Sequence, residues 1–195
     1  MLLSYFKLGS KGGARLVITI AVVVLLVIAA ALLFVMTRPD EFRVQRSGLV
    51  NAPGDVVFAI INDLHQWERW SPYQKFDPQM KKSFEGSALG PGAIYTWSGN
   101  NKAGEGQLTI VESKPNEFVK MNLEFTRPFK CENQVTFAIV PDGAGTRVSW
   151  ILDGKNNLMS KVFHLFMNMD TMIGKQFEEG LATLDTVAQS EVAKR

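Results

Sequence analysis

What this chain lacks narrows it first. A single cysteine, Cys131, excludes an intrachain disulfide and withholds the usual sign of an oxidising compartment. The two histidines, His65 and His164, lie far apart, with no H-x-x-x-H and no C-x-x-C, so no metal site of His and Cys is expected. There is no G-x-x-x-x-G-K, no complete G-x-G-x-x-G and no G-x-S-x-G, which removes the phosphate cradle and the nucleophile elbow. No cofactor is expected. No acidic residue precedes Asp40. Setting Lys7, Lys11 and Arg15 aside from the 21 basic residues leaves 18 against 19 acidic ones. A near-neutral remainder without basic clusters argues against a nucleic-acid partner.

One feature is abundant. Leu16 to Met36 reads LVITIAVVVLLVIAAALLFVM, without a charge and with Thr19 as its one hydroxyl. At 1.5 Å per residue this run matches a hydrocarbon core of about 30 Å. A secretory signal has a shorter apolar core of about 7–15 residues, although Ala29-Ala30-Ala31 could imitate a cleavage site. A buried core helix would show a polar side, and this run has none. The preferred reading is an uncleaved single-pass anchor. Lys and Arg are nearly balanced at its two ends, so the short leader alone favours a cytoplasmic N-terminus and a domain on the non-cytoplasmic side. The expected organisation is a leader over 1–15, a transmembrane helix over 16–37, a linker over 38–41, a domain over 42–189 and a tail over 190–195.

The domain, about 150 residues long, suffices for one core. Its organising stretch is Leu158 to Gln189. There Phe163, Phe166, Met167, Asp170, Ile173, Gly174, Phe177, Leu181 and Leu184 recur at steps of three and four, the signature of one helix face. Lys161, Lys175, Gln176, Glu179 and Thr183 fall opposite. Ahead of it, a strand through Val44–Val50 leads to Asn51-Ala52-Pro53-Gly54-Asp55, a helix start, and a short helix over Val56–Ile61. Trp67 and Trp70 share one side of a further helical turn that Ser71-Pro72 is expected to end. Six strand-like runs follow, Lys81–Glu85, Ala93–Ser98, Glu105–Ser113, Glu117–Phe125, Cys131–Val140 and Thr146–Asp153, with turn residues between them. Such short connections join antiparallel neighbours. Val119, Met121, Leu123 and Phe125 alternate with polar residues, as do Val135, Phe137 and Ile139, so one side of the sheet is dry and must meet the last helix.

This order of elements resembles the helix-grip fold of the START and Bet v 1 superfamily, an α+β architecture with a curved antiparallel sheet around a long C-terminal helix. Within it the chain resembles the polyketide cyclase/dehydrase-like (SRPBCC) proteins. The resemblance rests on Trp67-x-x-Trp70-Ser71-Pro72 within Asp63–Pro78, on Gly90-Pro91-Gly92-Ala93 leading to Trp97-Ser98-Gly99-Asn100, and on Gly104-Glu105-Gly106. Gly145-Thr146-Arg147-Val148-Ser149-Trp150 and Phe177-Glu178-Glu179-Gly180-Leu181-x-x-Leu184 complete it. It implies a cavity between sheet and helix for an apolar small molecule or a lipid, and it carries over no catalytic set.

The expected lining is Tyr95, Trp97, Met121, Leu123, Phe125, Phe137, Trp150, Phe163, Phe166, Met167 and Phe177, unless these residues simply fill a core. Asp170 falls on the apolar side by spacing. It is either a polar anchor with a raised pKa, or a carboxylate at the stripe's edge paired with a strand Arg, Tyr or Trp. The expected function is a membrane-anchored binder of a hydrophobic molecule. A cyclase or hydratase using a cavity carboxylate or Tyr, and a solid-core protein-interaction domain, are the alternatives.

Overall fold

The computed structural model describes residues 10–156, 161–162 and 168–195. Helix α1, Ser10–Met36, contains a segment, Arg15–Met36, long and apolar enough to cross a membrane, and its most apolar stretch is wholly exposed. Strand β1 (Glu41–Val50) follows, then helix α2 (Gly54–Ile61) and two 3-10 turns, Leu64–Arg69 and Pro72–Phe76. The strands β2 (Lys81–Gly86), β3 (Ala93–Ser98), β4 (Glu105–Lys114), β5 (Phe118–Arg127), β6 (Cys131–Asp142) and β7 (Gly145–Lys155) come next, and helix α3 (Met169–Val192) ends the fold. The helix-grip arrangement is as expected: a 7-stranded antiparallel sheet, ordered β1-β7-β6-β5-β4-β3-β2, packs on the C-terminal helix.

Two local expectations change. Ser71-Pro72 does not simply end a helix; Pro72 opens the second 3-10 turn, since its fixed φ suits a first helical position. The terminal helix does not run unbroken from Leu158. It begins at Met169, with Asn168 as the cap whose side chain accepts from the Thr171 backbone N–H. Phe163, Phe166 and Met167 lie outside the described residues.

α3 buries Ile173, Gly174, Phe177, Gly180, Leu181, Leu184 and Ala188, the face read from the sequence. Two of its glycines permit close approach. A Cβ on Gly180 would stand 2.7 Å from the Trp150 ring and 3.0 Å from Pro72, and one on Gly174 would collide with the Arg46 guanidinium. The inner face of the sheet follows from the register. Val50, Thr146, Val148 and Ile139 lie at one end; Val44, Leu152, Val135, Met121 and Ile110 form a row nearer the middle. All of these are buried, under α2 and the C-terminal half of α3.

Candidate functional site

The middle of the inner face is filled by rings. Trp150 stacks on Phe177 with centroids 4.2 Å apart and planes at 7°. Phe137 packs on Trp150 at 4.8 Å, and Trp67 and Trp70, brought over the sheet by the first 3-10 turn, meet both edge-on. Edge and offset contacts of this kind add about 0.5–1.5 kcal/mol each beyond area burial. The expected cavity residues Met121, Phe137, Trp150 and Phe177 are 0–2% exposed, and the rings of Phe137, Trp150 and Phe177 pack on one another.

The other end of the inner face is different. There the register aligns Cys131, Phe125, Gly106, Trp97 and Lys82 in one row, and Phe42, Gly154, Asn133, Leu123, Leu108, Tyr95 and Phe84 in the next. Trp97, Leu123, Phe125 and Phe84 are half-buried. Phe84, Tyr95, Trp97 and Phe125 form a continuous aromatic chain, with centroids 5.2, 5.8 and 5.4 Å apart. Gly106 makes the slot for Trp97, because a Cβ there would lie 2.7 Å from the indole. The indole N–H donates to the Ala103 carbonyl at 3.0 Å, fixing the ring across the sheet end.

A polar group sits at the edge of this apolar row. Lys82 Nζ donates to Glu68 at 2.7 Å, bringing a cation from β2 and a carboxylate from the first 3-10 turn beside the aromatics. Tyr95 is buried, and burial pushes its phenol pKa up, with Gln74 offsetting part of that effect without closing a well-formed hydrogen bond. A buried hydroxyl left in that state can bond a polar group of a guest. Sequence reasoning found Tyr95 and Trp97. It missed Lys82, Glu68 and Phe84, because β2 carries polar residues on both faces and its pairing with β3 supplies the only signal.

Asp170 is not in this group. It lies in the first turn of α3, more than half exposed, gripped by Arg46 from β1 at 2.9 and 3.0 Å. That hydrogen bond holds its carboxyl below the usual range, the reverse of the raised value that an apolar setting would produce. Of the two readings of Asp170, the strand-Arg pair is what the structure contains. Arg46 also reaches Glu178 at 2.9 Å, so one guanidinium ties β1 to two turns of α3.

Two hollows lined by described residues lie elsewhere. A groove of about 530 Å³ opens between the second 3-10 turn and the outer side of α3, with Lys75, Lys175, Gln176 and Glu179 on its walls. A smaller one, about 260 Å³, lies beside His65 and the β2–β3 hairpin. His65 stacks on Phe84 at 4.1 Å and bonds Asp63, a structural arrangement. Among the described residues no His, Cys, Asp or Glu cluster is arranged to hold a metal.

Comparison with solved structures finds the same fold at low identity. A protein of unknown function from Staphylococcus aureus superposes with a TM-score of 0.57 at 12% identity, covering 78% of this chain and 96% of its own. A protein from Thermus thermophilus gives 0.55 at 15%, covering 77% and 99%. One from Chromobacterium violaceum gives 0.54 at 15%, covering 77% and 98%. No match is found among curated protein sequences. The family model described as polyketide cyclase / dehydrase and lipid transport matches residues 41–189, from the first residue of β1 into the last turns of α3. With the sheet, the gripped helix and that match in agreement, this chain belongs to the polyketide cyclase / dehydrase and lipid transport family.

Proposed function

We propose that the chain is a membrane-anchored binding protein for a hydrophobic small molecule or lipid, held on the half-buried end of the inner sheet face. The supporting observation is the aromatic row Phe84–Tyr95–Trp97–Phe125, in which Tyr95 is buried while Phe84, Trp97 and Phe125 are incompletely covered by the described residues. Burying apolar area there would yield roughly 25 cal/mol per Å², while the Tyr95 hydroxyl and the Lys82 ammonium orient a polar headgroup. Family membership agrees with a hydrophobic guest.

The anchor makes physical sense of the site's position. α1 ends at Met36 and β1 begins at Glu41, and Phe42 lies on the inner face at the half-buried end. That short connection spans at most about 18 Å, so this end of the sheet is held near the bilayer in which α1 would sit. Tethering raises the local concentration of a lipid-soluble guest.

The test is a photoactivatable fatty acid added to the full chain in membranes, with adducts mapped by mass spectrometry. Adducts on Trp97, Leu123 or Phe125 are expected. Adducts confined to α1 would sink the binding role and leave the anchor standing.

A further inference from the structure

The half-buried end of the sheet also carries the most exposed aromatic among the described residues. Phe129, at the tip of the β5–β6 turn, is 69% exposed, more than any other large apolar residue outside α1 among the described residues. It is presented from a fixed base. Arg127 donates to the Gly99 carbonyl at 2.5 Å, and Thr126 Oγ1 to the Glu105 carbonyl at 3.3 Å, so the β5–β6 and β3–β4 turns brace one another. Nothing in that bracing uses the phenyl ring.

Charge separates this end from the opposite one. At the far end the basic residues are neutralised in pairs: Lys114 with Glu117, Lys120 with Glu112, Arg147 with Asp142, Arg195 with Asp55. At the near end Lys81, Lys102, Lys130 and Lys155 form no ion pair among the described residues. Lys102 and Lys130 occupy the turns themselves. The carboxylates on that side without an ion pair are Asp77, which accepts from the Asn100 and Gln79 backbone N–H groups beneath the β3–β4 turn, Glu41 at the strand start, and Glu124 and Glu132, set back on the outer sheet face. An exposed phenyl ring flanked by free ammonium groups fits the interfacial layer of a bilayer, with the ring at acyl-chain depth and the lysines among anionic headgroups.

We propose that the β5–β6 turn docks this end of the domain onto an anionic bilayer surface, Phe129 inserting while Lys130 and Lys102 contact headgroups. The proposal rests on the reading of α1 as a membrane span, because the short α1–β1 connection brings these turns within reach of the surface. It goes beyond tethering: the domain has a set orientation, with the aromatic row opening toward the lipid rather than tumbling about its linker. Each basic contact near an anionic surface is worth about 1 kcal/mol.

The experiment places an environment-sensitive fluorophore at Phe129→Cys or, as the far-end control, at Leu89→Cys, each in a Cys131→Ala background of the full chain. Leu89 is 59% exposed at the β2–β3 hairpin tip, so neither label disturbs packing. The chains are assembled into phosphatidylcholine/phosphatidylserine nanodiscs with and without acyl-chain nitroxide lipid. Loss of emission at position 129 but not at 89, weakened by removing phosphatidylserine or by Lys102→Glu with Lys130→Glu, is the expected result. Equal emission at both positions in chains that co-elute with the discs overturns the docking and leaves the span intact. Chains that fail to enter the discs at all overturn the span, and the docking with it.

Discussion

The two ends of the sheet's inner face are built on opposite principles. At the far end Val50, Val148 and Leu184 are fully buried, α2 and α3 close over them, and the buried Thr146 hydroxyl is satisfied by the Ala52 carbonyl. At the near end the same strands carry larger, aromatic residues that are left half-covered, with Lys82, Glu68 and Tyr95 beside them. Between the two stands the ring cluster of Trp67, Trp70, Phe137, Trp150 and Phe177. The lesson is that one continuous face can hold a closed core and a half-covered aromatic row when a layer of rings separates them. The far end then supplies stability, and the near end is free to keep apolar area unsatisfied.

That division can be broken most directly at the dividing layer. Trp150→Ala should destabilise the chain by about 3–5 kcal/mol in urea unfolding, whereas Phe125→Ala, already half-solvated, should cost about 1 kcal/mol. Equal losses would mean that the near end is as much core as the far end. A subtler probe is Gly180→Ala, which pushes a Cβ to 2.7 Å from the Trp150 ring. Overpacking of about 1–3 kcal/mol should outweigh the gain of up to about 1 kcal/mol in helix propensity, lowering the melting temperature. A neutral or stabilised variant would show that the ring layer yields easily.

Function should divide in the opposite sense. Trp97→Ala is expected to lower fatty-acid photolabelling about tenfold, the equivalent of about 1.4 kcal/mol, while Val148→Ala at the far end leaves labelling unchanged. Similar losses from both would dissolve the distinction. The smallest effect belongs to the strut joining β1 to α3. The Asp170 carboxyl is held below its ordinary value of 3.8 by the Arg46 hydrogen bond. Its contribution is therefore present above the unfolded-state value and lost as pH falls through the folded one. Asp170→Asn and the parent chain should keep a constant stability gap from pH 8 to pH 5, and the gap should close below about pH 4. A gap that closes near neutrality would assign the effect to another group.

Much of this was legible beforehand. Two-residue alternation located the strands to within a few residues, since a sheet with one dry face forces it, and the three-four spacing located the buried side of α3 from Ile173 onward. Asp170 marks where that reading stops. Spacing put it on the stripe, but the helix begins only at Met169, and a carboxylate in a first turn turns outward to a cation, here Arg46 from a strand more than a hundred residues away. The candidate site was half visible. Tyr95, Trp97, Leu123 and Phe125 stood out as inward aromatics and aliphatics, yet nothing local separated them from Phe137 and Trp150, which alternate in the same way. Lys82 and Glu68 carried no signal because their meaning lies in the β2–β3 register and in where a 3-10 turn lands.

By itself the sequence determined the element order, which strand face is dry, the apolar span and the family, because periodicity and hydrophobicity are local properties that each residue carries with it. The tertiary structure alone decided which inward rings pack against one another and which stay half-open. That outcome depends on how far α3 extends over the sheet, on the clearance that Gly174 and Gly180 allow, and on which turns gather at the end next to α1.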